Sequence, residues 1–237
     1  MGYSVSISCS EGSFAEEGGD YTTVAVDVLR ATTTAITAVS RGRRCYPVRS
    51  LEEATALARR LGDPLLAGEL GGSQPYGFDL QNSPAEIASL AGSQPVILLS
   101  TSGTRLLCRA ADRGPTYAAC LRNVTAQADH LVGRHAHVRL VGADARGEFR
   151  EEDQLCCARI ARRLVVAGYH SETPLTEEVL ERWGTAPDDA FLGHRSSSYL
   201  LDTGQGHDID FVLAHIDDLD EAYPMIAGEL GRVACAA

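Results

Sequence analysis

Four short constellations in this 237-residue chain hold residue types suited to binding a phosphate or a hard cation. The first is Asp27-Val-Leu-Arg30-Ala-Thr32-Thr33-Thr34. Asp27 stands near the end of an apolar, β-branched run, and a carboxylate buried there must be paired or bound to metal to offset its desolvation. Arg30 and the threonines stand where a helix should begin, and free N–H groups and the helix dipole favour anions there. These residues fit a phosphate cradle beside a metal-binding or nucleophilic carboxylate. They fit equally well an Asp27–Arg30 structural pair with threonine caps, and spacing does not separate the two. The second constellation is Glu69-Leu-Gly71-Gly72, Gly77-Phe-Asp79 and Asn82-Ser83-Pro84. Two acids and an amide around a glycine-rich loop suit a cation that takes oxygen ligands, or simply a turn-rich loop that ends in a helix cap. The third, Ser100-Thr101-Ser102-Gly103-Thr104-Arg105, suits an anion, although ordinary capping also explains its hydroxyls. The fourth, Glu151-Glu152-Asp153, either complements a helix dipole or sends one acid to a metal.

These residues need elements to hold them. Short β-branched or apolar runs predict strands over 23–29, 44–49, 65–68, 95–100, 116–120, 137–142 and 223–226. Between them, Ala31, Ala35, Ala38 and Val39 recur at helical spacing. Ser50 with Glu53 forms a capping box, and Leu51, Ala54, Ala58 and Leu61 mark the expected buried face of the helix that follows. Ser83, Pro84 and Glu86 start another helix. Further helices are expected after residue 100, from about 123, over 151–167, near 176–183 and over 208–215. His194 to Ser198 reads as a loop or a pocket mouth, and His135 and His137 as surface or core histidines more readily than ligands. Alternating strands and helices imply a three-layer α/β/α domain, residues 1–237, with a largely parallel or mixed central sheet. Three hydroxyl- or glycine-rich loops, at 30–34, 100–104 and 142–153, follow strands and open helices. Ligands in such sheets bind beyond the carboxyl ends of strands, so these loops are expected to share a pocket.

Composition removes several classes of function. All 21 basic residues are Arg and none is Lys, so a bound anion must be held by Arg, backbone N–H groups, hydroxyls or metal. The net charge of −11 disfavours nucleic acid and anionic membranes. Seven scattered cysteines without a Cys-x-x-Cys argue against a disulfide framework or structural zinc. Residues 1–11 have no basic start and no long apolar stretch, which disfavours a secretory signal, and no apolar run approaches a membrane span. A cytoplasmic location is expected. Lysine phosphate loops, Gly-x-Gly-x-x-Gly, Gly-x-Ser-x-Gly and His-Glu-x-x-His are absent.

Taken in order, Asp27-Val-Leu-Arg-Ala-Thr-Thr-Thr34, Gly77-Phe-Asp79, Asn82-Ser-Pro84, Gly103-Thr-Arg105 and Glu152-Asp153 with Leu155-Cys156 resemble the 2-phosphosulfolactate phosphatase family over residues 24–163, and more weakly through Asp208-Ile-Asp-Phe211 to Pro224. The resemblance implies a three-layer α/β/α fold and Mg²⁺-dependent hydrolysis of a small phosphorylated anion. It implies that Asp27, Arg30 and Glu152 are catalytic, with Asp27 the favoured nucleophile and metal-activated water the other route. Asp27, Glu69, Asp79 and Asp153 become the expected metal ligands. Thr32, Thr33, Asn82, Ser83, Thr101, Ser102, Gly103, Thr104 and Arg105 become the expected substrate contacts. The chain departs from the family pattern at Leu70, Ser102, Ala145, Arg150 and Arg159. These departures keep two alternatives open: a biosynthetic phosphatase for another phosphorylated acid, sugar or nucleoside, and a non-catalytic binder of a phosphorylated metabolite. A homodimer is expected for an enzyme of this size.

Overall fold

The computed structural model describes residues 2–9, 21–144 and 147–235; residues 1, 10 and 11 of the leading stretch, and Ala145, lie outside it. In chain order the elements are β1 (Ser4–Cys9), β2 (Thr22–Val26), α1 (Ala31–Ser40), β3 (Cys45–Val48), α2 (Leu51–Leu61), β4 (Leu65–Gly68), α3 (Pro84–Ser89), β5 (Val96–Leu99), α4 (Gly103–Ala111), β6 (Thr116–Ala119), α5 (Val124–Leu131) and β7 (His137–Gly142). They continue with α6 (Glu151–Val166), β8 (His170–Ser171), α7 (Pro174–Trp183), α8 (Arg195–Asp202), α9 (Gly206–Ala214), β9 (Glu221–Ile226), β10 (Glu229–Leu230) and β11 (Val233–Ala234).

The period of two along the strands divides the apolar residues between layers. Val24, Val26 and Leu140 face the cluster made with α5, α6, α7 and α9, whereas Ala25 and Val141 face the cluster made with α1, α3 and α4. Along β5, Val96 and Leu98 join that second cluster, and Ile97 and Leu99 turn the other way onto α2. The sheet is therefore covered on both faces, as a three-layer α/β fold requires. Buried side chains such as Leu155, Ile160 and Leu164 of α6 each contribute about 2 kcal/mol.

The sheet is mixed. β8, β1, β7, β2 and β6 form one parallel set, and β4, β5 and β3 form another. Three successive antiparallel pairings, β6 with β9, β9 with β10 and β10 with β3, join the sets. Each pairing reverses the direction, so the two sets run opposite to one another. A flat sheet would then place the carboxyl ends of β2 and β5 on opposite edges. Loops after both strands nevertheless line a single cleft.

Capping follows the sequence. Ser50 Oγ accepts from Glu53 N, Glu53 Oε2 accepts from Arg49 N, and Ser83 Oγ accepts from Glu86 N. Leu51 departs from its expected buried place: it opens α2 at the solvent edge and is 39% exposed. The two-residue strands β8, β10 and β11 were not expected, and two longer elements also differ from expectation. β1 was not anticipated because three serines alternate with its apolar residues, and α8 forms where a loop was expected from a run of poor helix formers. Ser197 supports α8 by donating to the carbonyls of Phe191 and His194. All seven cysteines are free thiols. No described helix is long and apolar enough to cross a membrane.

Candidate active site

The loops after β2, β4, β5 and β7, together with the start of α8, enclose a cleft of about 330 Å³. Asp27, Arg30, Asn82, Glu152 and Asp153 line it, with Thr101 and Ser102 on the rim. Asp27 follows the last residue of β2, and its Oδ1 accepts from Ala31 N at 3.1 Å, at the start of α1. Oδ2 lies against Gly103, where a Cβ would come within 2.2 Å of it. The Leu29–Arg30 peptide bond is cis. Asp27 is thus fixed between two helix starts, with one oxygen anchored and the other packed where only glycine fits.

The first turn of α6 brings the other two acids. Asp153 Oδ1 accepts from Val28 N at 2.7 Å, which ties α6 to the β2 loop. Glu152 meets Ser196 of α8, and its Oε2 is buried without a partner among the described residues. Burial raises all three carboxyls, and each is raised further by its acidic neighbours: Asp27 to about 6, Glu152 to about 7 and Asp153 well above its usual range. Two buried acids and the half-buried Asp27, repelling one another at the mouth of a cleft, form an arrangement built for something other than stability.

The remaining candidates separate by position. Glu69 lines the cleft, but its carboxylate is engaged by Thr101 N and Oγ1 and by Gly72 N at 2.7–2.8 Å, so it straps the glycine loop to the β5 loop. Thr101 is occupied by the same strap and also accepts from Gly71 N. Thr32 and Thr33 are buried, and their hydroxyls donate to the carbonyls of Asp27 and Val28, so they build the loop and do not line the cleft. Thr104 exchanges hydrogen bonds with Ser100 inside the start of α4. Gly103 touches Asp27 without lining the cleft. Ser83 is turned away toward Asp208. Asp79 is exposed and accepts from Leu66 N at 2.8 Å, and Arg105 is exposed on α4; neither lines the cleft. Sequence motifs mark chain positions, and an exposed side chain on the wrong side of a loop satisfies the same motif.

Several lining residues were not assigned a role from sequence. Arg150, Arg195 and Tyr199 also line the cleft. Glu148 accepts from both Arg150 and Arg195. Tyr199 packs its hydroxyl over Gly72, whose positive φ and missing Cβ allow the approach. Of the two readings of 194–198, a loop or a pocket mouth, the structure gives a helix start whose Arg195 and Ser196 line the cleft.

The donor chemistry fits a hard divalent cation. The donors are carboxylate oxygens, buried at Glu152 and Asp153 and half-buried at Asp27, and Glu152 Oε2 has no hydrogen-bond partner among the described residues. Among the described residues, no three His, Cys, Asp or Glu side chains converge on one ion position. Magnesium tolerates this arrangement, since it commonly takes one or two carboxylates and fills the rest with water and substrate oxygens. Asp27 and Asp153 have the placement for that role; Asp79 does not.

Known proteins resemble the chain across most of its length. The profile of 2-phosphosulpholactate phosphatase matches residues 10–221. A probable 2-phosphosulfolactate phosphatase of Synechococcus sp. is 37% identical over 206 residues, covering 83% of this chain and 84% of that one. The 2-phosphosulfolactate phosphatase of Methanothermobacter thermautotrophicus is 32% identical over 202 residues, covering 85% of each. A probable 2-phosphosulfolactate phosphatase of Pseudothermotoga lettingae is 41% identical over 142 residues, which cover 60% of this chain and 61% of that relative. The match to a similar protein of Carboxydothermus hydrogenoformans spans 56% of the relative's length.

Proposed function

The chain belongs to the 2-phosphosulfolactate phosphatase family, and on that premise we propose that it hydrolyses a small phosphate monoester with the aid of Mg²⁺, 2-phosphosulfolactate being the first candidate substrate. The observation that carries the reading is the convergence of Asp27, Glu152 and Asp153 on one cleft that Arg30 also lines. Arg30 binds the phosphoryl oxygens. Ala31 N orients Asp27, whose Oδ2 stands ready either to attack phosphorus or to draw a proton from an attacking water. Glu152, raised to about 7, carries a proton near neutrality and gives it to the departing oxygen. In the attack route, ester oxygen leaves as the alcohol with that proton, and water then releases phosphate from Asp27, returning a proton to Glu152. Bound by Asp27 and Asp153, Mg²⁺ would neutralise charge on the phosphoryl group.

The test is phosphate release from a panel of 2-phosphosulfolactate, phospholactate, sugar phosphates and nucleoside monophosphates, with Mg²⁺ and with chelator. Metal-dependent release favouring phosphosulfolactate is expected. A preference for another ester would redirect the substrate, and no release from any member would overturn the hydrolase reading. Stereochemistry at a chiral phosphorus separates the routes: retention follows attack by Asp27, inversion follows direct attack by water. The same proposal includes a cytoplasmic homodimer, supported by the frequency of two-fold dimers among enzymes of this size and checked by sedimentation.

A further inference from the structure

Asp208 lies on α9, has no exposed surface, and is a buried charge to which the mechanism above gives no work. A buried carboxylate persists where its charge and lone pairs are matched. Oδ2 accepts from Arg30 Nη1 at 2.7 Å. Oδ1 accepts from Ser83 Oγ at 2.5 Å and from Ala85 N at 3.3 Å. Gln205, the residue before α9, accepts from the same Arg30 Nη1 at 2.5 Å. Nη1 carries two hydrogens, and these two acceptors use both. What remains on the guanidinium is the Nε–Nη2 edge, whose parallel N–H bonds match two oxygens of one phosphoryl group. Among the described residues that edge has no hydrogen-bond partner, and Arg30 lines the cleft beside Asp27.

We infer that Asp208, assisted by Gln205, is the positioning residue of the phosphoryl site: it fixes the rotation of Arg30 so that the Nε–Nη2 edge meets the ligand. Ser83 and Ala85 hold Asp208 from the start of α3, so the segment around residue 83 supports the site from behind. The inference rests on the reading of Arg30 as the phosphoryl clamp, and it can be tested apart from turnover.

The probe is inorganic phosphate, measured by calorimetry in the presence of Mg²⁺, with kcat and KM for a hydrolysed ester alongside. Asp208→Asn is expected to weaken phosphate at least about tenfold, because Arg30 loses its charged anchor. Gln205→Leu keeps the ion pair and is expected to weaken phosphate about fivefold. In an Arg30→Ala background, Asp208→Asn should add less than about twofold, because its effect passes through Arg30. A merely structural role would give additive losses instead, and additivity would overturn the inference. So would wild-type phosphate affinity in both single variants. If Asp208→Asn fails to fold, Gln205→Leu decides alone, alone and combined with Arg30→Ala. A wild type that binds phosphate through Asp208 and Arg30 yet releases none from any ester would sink the hydrolase reading and leave this one standing.

Discussion

At the scale of residues, the site separates groups that hold from groups that react. Thr33 holds: its hydroxyl donates to the Val28 carbonyl at 2.7 Å inside the β2 loop. Thr33→Val keeps the shape and leaves that acceptor unpaired, so a loss of about 1 kcal/mol is expected in denaturant melts, with kcat little changed at low temperature. Gly103 leaves room for Asp27. Its replacement by Ala would place a methyl group within 2.2 Å of Asp27 Oδ2, on a carboxylate anchored through Oδ1 by Ala31 N, and 2.7 Å from Ala31 Cβ on the helix backbone. Gly103→Ala is expected to lower kcat by at least about a hundredfold in steady-state assays, since a displacement of the reacting oxygen by about 1 Å costs that much. Glu152 is the proposed proton donor, and it costs stability to keep. Its folded pKa of about 7 lies above the usual carboxylate value, so the penalty is absent below the unfolded value and complete above about 7. Glu152→Gln should therefore melt higher than wild type near pH 8, lose that advantage near pH 4, and be nearly inactive.

At the scale of elements, each wall of the cleft is set by how a helix meets a strand end. α6 delivers Glu152 and Asp153 from one turn, α8 covers them with Ser196, and Tyr199 rests on Gly72. Gly72→Ala would meet Tyr199 Oη at 2.1 Å from a backbone with φ of +87°. It is expected to raise KM several-fold and lower Tm by a few degrees, with kcat largely kept, because the strained loop does not carry the reacting groups. Most of these elements were legible because β-branched runs, capping serines and glycine stops are local signals. β1 and α8 were not, since serines dilute both periods and their order comes from packing. Asp27, Arg30, Glu152 and Asp153 were legible as charges at predicted element ends. The directions of Thr32, Thr33, Asp79 and Arg105 were not, because a motif fixes spacing and leaves the facing of a side chain to the fold. Asp208 entered the sequence reading only as part of the Asp208-Ile-Asp-Phe211 motif, with no role, and the packing of α9 against α3 is what gives it its partners.

At the scale of the whole molecule, loops from two oppositely directed sets of strands in the mixed sheet meet at one cleft, and the charge gathered there should govern stability. Asp27, Glu152 and Asp153 bind protons more tightly in the folded chain than in the unfolded one. Stability of the metal-free protein should thus fall as pH rises from about 4 through about 7. His130 and His135 act in the other direction: burial lowers both, and they cost stability as pH drops below the ordinary histidine range. Thermal melts in chelator should peak on the mildly acidic side, and millimolar Mg²⁺ should lift the alkaline limb most, where the carboxylates are ionised. A metal effect that is equal at all pH values would place the cation elsewhere. Asp27 stands at the centre of the proposed phosphoryl chemistry in this cleft. The most direct measurement is phosphate release from 2-phosphosulfolactate with Mg²⁺ by the wild type and by Asp27→Asn, with circular dichroism of both. Release by the wild type and a loss of at least about a thousandfold in a folded variant is the predicted result. A folded Asp27→Asn that releases phosphate at the wild-type rate would contradict the account.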